Sequence, residues 1–317
     1  MENKPLWTIT RVLEWTKQYF ANKGIENPRL DAEILLCAVL KCERITLYVH
    51  FDQPLDDTEL AEYRSYVTRR ANQEPLAYIL GTKAFMKHSF KVTPAVLVPR
   101  PETELLVESV AKAAVGAGAE NLLDIGTGSG AIIVSLLDLL PQSKGTAVDI
   151  SAAALVVAGE NAENIGVSER LTLVESDLFS KLDCNKKFDI IVSNPPYLVL
   201  KPDKKKISGN KADRILMWVS WFRTSGAYHY ALEGMLNLYQ LSIEKMIRML
   251  KRNGYLGVIC PSTLFADLST TKLRKFLLEK NKVCEIKYFR ESIPLFDNVT
   301  QSTNICLLYT SPSPRDS

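Results

Sequence analysis

From residue 122 onward short apolar runs alternate with helix-spaced segments, and this alternation constrains the fold more than any other feature of the chain. Residues 122–125 read as a strand, 131–140 as a helix, 145–150 as a strand, 152–164 as a helix, and 171–175 and 188–193 as two more strands. Neighbouring strands joined through helices lie parallel, so the expected class is α/β: a doubly wound, mostly parallel sheet with helices on both faces. Further on, 238–251 reads as an amphipathic helix, 254–260 as a strand, 271–280 as a helix, and 283–289 and 303–309 as strands. Ahead of this region, residues 7 to about 74 show helix spacing alone, in Val12, Trp15, Tyr19 and Phe20 and again in Ala32, Ile34, Leu35, Leu36, Val39 and Leu40. Alternating Phe85, Phe90, Val92, Val96 and Val98 suggest a short hairpin between the two regions. The expected organisation is a helical domain over 1–75, a linker and hairpin over 76–98, and an α/β domain over 99–309. The polar, Pro-rich tail over 310–317 is expected to be disordered and is open to a reading as foreign to the natural gene.

Charge and cysteine usage narrow the class of protein. A net charge of +3, from 39 Lys and Arg against 36 Asp and Glu, disfavours coating nucleic acid by bulk charge. Six scattered cysteines (Cys37, Cys42, Cys184, Cys260, Cys284, Cys306) form no C-x-x-C pair and accompany only three histidines, so neither a metal site nor a disulfide framework is expected. A reduced, cytoplasmic setting follows as the expectation. No apolar run nears the roughly 18 residues of a membrane span, and the start lacks the apolar centre of a signal peptide, so no membrane partner is expected. One local exception is 201–214, with six basic residues against Asp203 and Asp213. It reads as a solvated flexible loop, with binding to phosphates or an acidic partner as the alternative.

Chemistry concentrates at the ends of the strands. The run Asp124, Ile125, Gly126, Thr127, Gly128, Ser129, Gly130 sits between a strand and a helix, where glycines allow a tight turn and the helix offers free N–H groups. Dinucleotide enzymes share such a turn, so it does not specify a ligand alone. Asp149 ends the next strand about 20 residues on, where a carboxylate can accept both ribose hydroxyls of an adenosine. Asp177 ends the strand after that, beside Leu178 and Phe179, placed for an adenine ring. Both aspartates can also be read as helix N-caps.

The discriminating motif is Asn194, Pro195, Pro196, Tyr197, at the end of the fourth strand of this series. Two prolines cannot continue a sheet interior, so the chain leaves it rigidly, offering the Pro195 carbonyl and the Asn194 side chain as acceptors. These two can hold both hydrogens of a planar NH2 group, with Tyr197 stacked on its plane. Such a nitrogen is a poor nucleophile, and acceptors on its hydrogens ease its attack on an activated methyl, without a separate catalytic base. Hydride transfer has no use for this motif, which disfavours a dinucleotide oxidoreductase.

Residues 1 to about 198 resemble the release factor glutamine methyltransferases, S-adenosylmethionine enzymes that methylate the Gly-Gly-Gln glutamine of peptide chain release factors. The resemblance is carried by the helical start, Tyr78 to Gly81, the stretch Val98-Pro99-Arg100-Pro101-Glu102-Thr103-Glu104, the Asp124 to Gly130 turn and Asn194 to Tyr197. It implies cofactor contacts from Gly126 to Gly130, Asp149 and Leu178, an amide held by Asn194 to Tyr197, and a helical domain that grips the release factor. Arg100 and Glu102 can equally be a salt-bridged linker. After Tyr197 the family's short substrate loop is missing. Residues 233–244 and 250–262 resemble instead the adenine-specific DNA methyltransferases of restriction-modification systems, as do 273–278 and 286–296. The chain thus reads as composite, with a junction near residue 198. Glutamine amide and adenine amine are both planar NH2 groups, so the motif fixes the reaction and leaves the substrate open. The dedicated N-terminal domain favours the release factor. For DNA speak the basic run and Trp218, Trp221 and Phe222, which could stack on a flipped base. A third reading is a protein that binds the cofactor or a partner without turnover.

Overall fold

The computed structural model describes residues 6–183, 185–201, 209–289 and 302–310. The chain divides into two compact units, residues 1–83 with 92–94 and residues 84–91 with 95–317.

The first unit is helical: α1 (Ile9–Asn22), α2 (Pro28–Leu40), α3 (Arg44–Val49), α4 (Asp57–Ala71) and α5 (Leu76–Leu80). Its starts follow local chemistry. Pro28 opens α2 where no N–H is needed, and Asp56 and Glu59 form a reciprocal capping box on α4. Ile9, Phe20, Leu35, Leu36, Leu47 and Val67 form the core, while Trp15 stays exposed and stacks on Tyr19 at 5.1 Å. Glu33 is buried inside this unit. Burial would raise its carboxyl, but hydrogen bonds from the Tyr48 hydroxyl, Arg29 and Arg44 outweigh that and hold it below its usual value.

In the second unit a hairpin, β1 (Thr82–Phe85) and β2 (His88–Lys91), brings Phe85 and Phe90 edge to face at 5.8 Å; β1 begins in the first unit. Then come α6 (Pro101–Val115), β3 (Asn121–Ile125), α7 (Ala131–Leu139), β4 (Lys144–Asp149), α8 (Ala152–Ile165), β5 (Leu171–Glu175) and β6 (Phe188–Ser193). The chain ends with α9 (Gly209–Thr224), α10 (Leu238–Met249), β7 (Leu250–Pro261), α11 (Thr263–Ala266), α12 (Thr271–Lys280), β8 (Lys282–Phe289) and β9 (Thr303–Tyr309). The seven-stranded sheet runs β5-β4-β3-β6-β7-β9-β8, parallel throughout except for β9, which lies antiparallel to both neighbours. One layer of apolar side chains from α6 and α7 covers one face, and a second, built on α10 and α12, covers the other.

Three segments differ from the sequence reading. Helix α6 begins at Pro101 and takes in Glu102, for which a salt-bridged linker is one reading, because proline suits a first helical position and Glu102 and Glu104 favour the positive helix start. The helix read as far as 251 ends at Met249, and β7 starts at once, with a bulge opposite Phe188 and Ile190. The expected flexible loop over 201–214 is a helix from Gly209 onward, since Ala212, Ile215, Val219 and Phe222 give it an apolar face to bury. Residues 202–208 and the tail from 311, read above as a loop and as disordered, lie outside the described residues. Among the described residues no helix is long and apolar enough to cross a membrane, and no cluster of His, Cys, Asp or Glu could hold a metal.

Candidate active site

The sheet order places the candidate site. Growth of the sheet reverses at β3, which has β4 on one side and β6 on the other, and the crevice past such a reversal is where α/β sheets bind ligands. Register does the rest: Ile125 pairs with both Val148 and Ser193, and Asp149 pairs with Glu175. The Gly126 turn, Asp149 and Asn194 therefore leave the sheet along one edge. The Ser193 hydroxyl donates to the Ile125 carbonyl at 2.8 Å, tying the ends of β6 and β3 together.

The turn after β3 is built on Asp124, which is fully buried. Its Oδ2 accepts from the Thr127 hydroxyl at 2.8 Å, and its buried Oδ1 has no hydrogen-bond partner among the described residues. Burial pushes this carboxyl up to about 7, against the Thr127 hydrogen bond, and the neighbouring Asp149 adds to the rise. The Gly126 and Thr127 N–H groups both donate to the Val148 carbonyl, at 2.8 and 2.9 Å, fixing the turn to β4. Gly128 and Gly130 both have positive φ, +54° and +78°, for different reasons. A Cβ on Gly128 would meet nothing within 4 Å, so its backbone faces open space. On Gly130, which caps α7, a Cβ would lie 3.1 Å from that of Ala158, so close packing of α8 also demands glycine there. Ser129, buried beside it, gives its carbonyl to the Asn161 side chain.

Asp149 closes the turn from the other side. Its Oδ2 accepts from the Gly128 N–H at 2.9 Å and its Oδ1 from the Ser151 N–H at 3.0 Å, leaving each oxygen a further lone pair. The capping of α8 belongs to the Ser151 hydroxyl, which accepts from Ala154, so Asp149 is not the N-cap. The exposed apolar Ile150 follows it, a lone isoleucine that carries no motif in the sequence. Asp177 does not end β5 as expected. It lies two residues past Glu175, exposed to solvent, and is followed by Leu178 in a left-handed conformation (φ +48°) that a branched side chain adopts at a cost of about 1 kcal/mol.

Across the crevice, Asn194 is half-buried, Pro195 buried and Pro196 exposed. A Cβ on Gly126 would lie 3.9 Å from the Asn194 carbonyl, which sets the distance between the two halves of the site. The Tyr197 hydroxyl donates to Asn194 Oδ1 at 3.1 Å and so orients that side chain, leaving Oδ1 another lone pair for a ligand. The ring packs edge-on against the buried Tyr239, centroids 6.1 Å apart, and burial pushes the Tyr197 phenol well above its ordinary value. Tyr239 was not legible as a site residue, because in the sequence it is one more apolar position of α10. Beyond Tyr197 the chain is clamped: Leu200 N–H donates to the Leu236 carbonyl and Leu238 N–H to that of Leu198. Glu244 of α10, fully buried, anchors the loop before Leu236 by accepting from the N–H groups of His229, Tyr230 and Ala231 and from Arg248.

This arrangement suits a nucleoside carrying an activated group. Open space over Gly128, a carboxylate at Asp149 with spare lone pairs, and the Asn194 carbonyl close to the Gly126 turn come together around one crevice.

A family model described as the PrmC N-terminal domain matches residues 11–81, and one described as an Eco57I restriction-modification methylase matches residues 146–296. A release factor glutamine methyltransferase of Geobacter sulfurreducens is 50% identical over 199 residues, covering 62% of this chain and 68% of that protein. Its counterpart in Rhodopirellula baltica is 40% identical over 273 residues, covering 85% of this chain and 88% of that protein. A solved candidate class I S-adenosylmethionine-dependent methyltransferase of Listeria monocytogenes has the same fold, with a TM-score of 0.53 at 18% identity over 96% of this chain and 88% of that one. The Rhodopirellula match is too long to stop at residue 198 and the Eco57I match begins before it. The two likenesses therefore overlap across the expected junction, and β6 and β7 pair in one ladder on either side of it.

Proposed function

The chain belongs to the release factor glutamine methyltransferase family, and from that premise we propose that it transfers a methyl group from S-adenosylmethionine to the glutamine amide of the Gly-Gly-Gln loop of a peptide chain release factor. The observation that carries this reading is the rigid Asn194 to Tyr197 exit from β6, facing the turn after β3 across the crevice. In this reading Asp149 accepts the ribose hydroxyls, Gly126 to Gly130 line the approach to the donor, and Ile150, Asp177 and Leu178 border the adenine. The helical unit that matches the PrmC N-terminal domain grips the release factor.

S-adenosylmethionine supplies, when bound, an electrophilic methyl on a sulfonium. The protein supplies orientation. The Pro195 carbonyl and Asn194 Oδ1 take the two amide hydrogens, which turns the nitrogen toward the Gly126 turn and resists rotation of the amide. These hydrogen bonds strengthen as the nitrogen becomes more acidic during bond formation, which lowers the barrier selectively. Tyr197 keeps Asn194 in its accepting orientation. The nitrogen sheds one proton to water after it gains the methyl, so no side chain must act as base.

The match over 146–296 favours one second reading, methylation of an adenine in DNA. Incubation with methyl-labelled S-adenosylmethionine, a release factor and, separately, duplex DNA distinguishes them. Label in the release factor glutamine is the expected result; label in DNA alone would overturn the proposal.

A further inference from the structure

The second unit carries exposed apolar surface that starts at the target motif and that methyl transfer does not use. Leu198 and Val199 follow Tyr197 directly and are exposed, and Val199 bridges to Asn237, next to which stands Met235 at 62% exposure. Gly234, beside Met235, accepts through its carbonyl from Arg223 of α9 at 2.9 Å. Helix α9 then presents Met217, Trp218 and Trp221, at 63, 40 and 55% exposure, while Ile215, Val219 and Phe222 pack inward. The buried side of α9 packs on the same apolar cluster that takes in Tyr197 and Leu200. Backbone hydrogen bonds from 198–200 to 236–238, and that of Arg223 to Gly234, thus join the target motif to α9.

We propose that Leu198, Val199, Met235, Met217, Trp218 and Trp221 form a docking surface for an acidic face of the protein domain that presents the target glutamine. This rests on the release factor reading and adds to it the surface that selects the whole protein over an isolated Gly-Gly-Gln loop. Two observations choose the occupant. Lys201, Arg214 and Arg223 are exposed along this stretch, and among its described side chains Asp213 is the one acidic group, so this surface attracts an acidic partner. Four of the six side chains are Leu, Val or Met, Trp218 has the Arg214 guanidinium over its ring at 5.5 Å, and Trp221 meets Phe222 at 5.2 Å and 72°. Nucleobases need bare flat faces, whereas mixed Trp, Met and Arg surfaces are typical of protein contacts.

The test compares wild type with a W218A/W221A double variant and, as a second probe, M235E. Initial rates are read on an intact release factor and on a short Gly-Gly-Gln peptide. Truncating exposed indole anchors should raise KM for the release factor roughly tenfold or more with kcat held, and leave KM for the peptide unchanged. Equal changes on both substrates, or none on either, overturn the proposal. Direct binding of a fluorescently labelled release factor separates this from the function itself. Wild type that binds better than the variants yet transfers no methyl refutes the reaction and keeps the surface. Equal binding by all, or by none, refutes the surface. A short single-stranded oligonucleotide whose binding falls in the double variant while release factor binding does not would give the surface to nucleic acid, and also overturns the proposal.

Discussion

Replacing Gly128 and Gly130 one at a time by alanine should separate ligand binding from folding, because the two positive-φ glycines face different things. At Gly128 the added methyl meets nothing within 4 Å, and φ of +54° lies in the left-handed region open to alanine at about 1 kcal/mol. For a unit of this size that is a loss of roughly 2–4 °C in Tm. The methyl stands, however, where the backbone must be approached by the donor, so affinity for S-adenosylmethionine should fall at least tenfold. At Gly130 the same backbone strain is joined by contacts of 3.1 and 3.3 Å with Ala158, which overpack α8 at a further cost of about 2 kcal/mol. The total of about 3 kcal/mol should lower Tm by roughly 10 °C, while the residual folded protein binds the donor with a smaller loss than Gly128→Ala. Titration calorimetry with S-adenosylmethionine and thermal unfolding of both variants provide the two readouts. Normal donor affinity in Gly128→Ala, or a thermally unchanged Gly130→Ala, would refute the reasoning.

Asn194→Ala should cut kcat by about 100- to 1000-fold with donor affinity nearly unchanged, since it removes an acceptor that acts on the target nitrogen; steady-state rates and calorimetry on one preparation check both halves. Asp124 has a folded-state pKa near 7, raised from 3.8, so wild type should lose stability as pH rises from about 4 to about 7, by at most about 4 kcal/mol, and level off above. Asp124→Asn should lack that slope in urea unfolding at pH 5 and pH 8; an identical slope in both proteins would sink the assignment. Glu244→Ala leaves three N–H groups and Arg248 without their shared acceptor and should cost about 3 kcal/mol, read as a lower urea midpoint.

Much of the second unit was legible because the signals were local. The apolar run at 122–125, the glycine turn and the paired prolines each dictate backbone behaviour within a few residues, and the edge of the sheet follows from their order. What escaped was of two kinds. Proline at 101 looks like a breaker and Lys211 and Arg214 like parts of a solvated loop, yet the first opens α6 and the other two lie in α9, because a buried apolar face outweighs a polar surround. Contacts between distant residues carried no signal at all. Tyr239 beside Tyr197 and Glu244 under the loop at 229–231 depend on where α10 lands, and nothing near residue 197 announces it. Asp177 was read on the strand and stands past it, since a strand's last residue is set by its partner's register more than by its own sequence.

The hydroxyl of Ser193 on the carbonyl of Ile125 gives the crevice a unit of length. Its two walls grow from adjacent strands, and such strands can slide only by whole residues, about 3.3 Å at a time. A reacting pair of atoms must be placed to a small fraction of that. The gap between donor and acceptor is therefore digital: a sequence that keeps the β3–β6 register inherits the spacing complete, and one that slips it keeps none. Loops farther from the strand ends can diverge freely to suit new amide-bearing partners, because the distance is set at Gly126 and Asn194, one residue past β3 and β6.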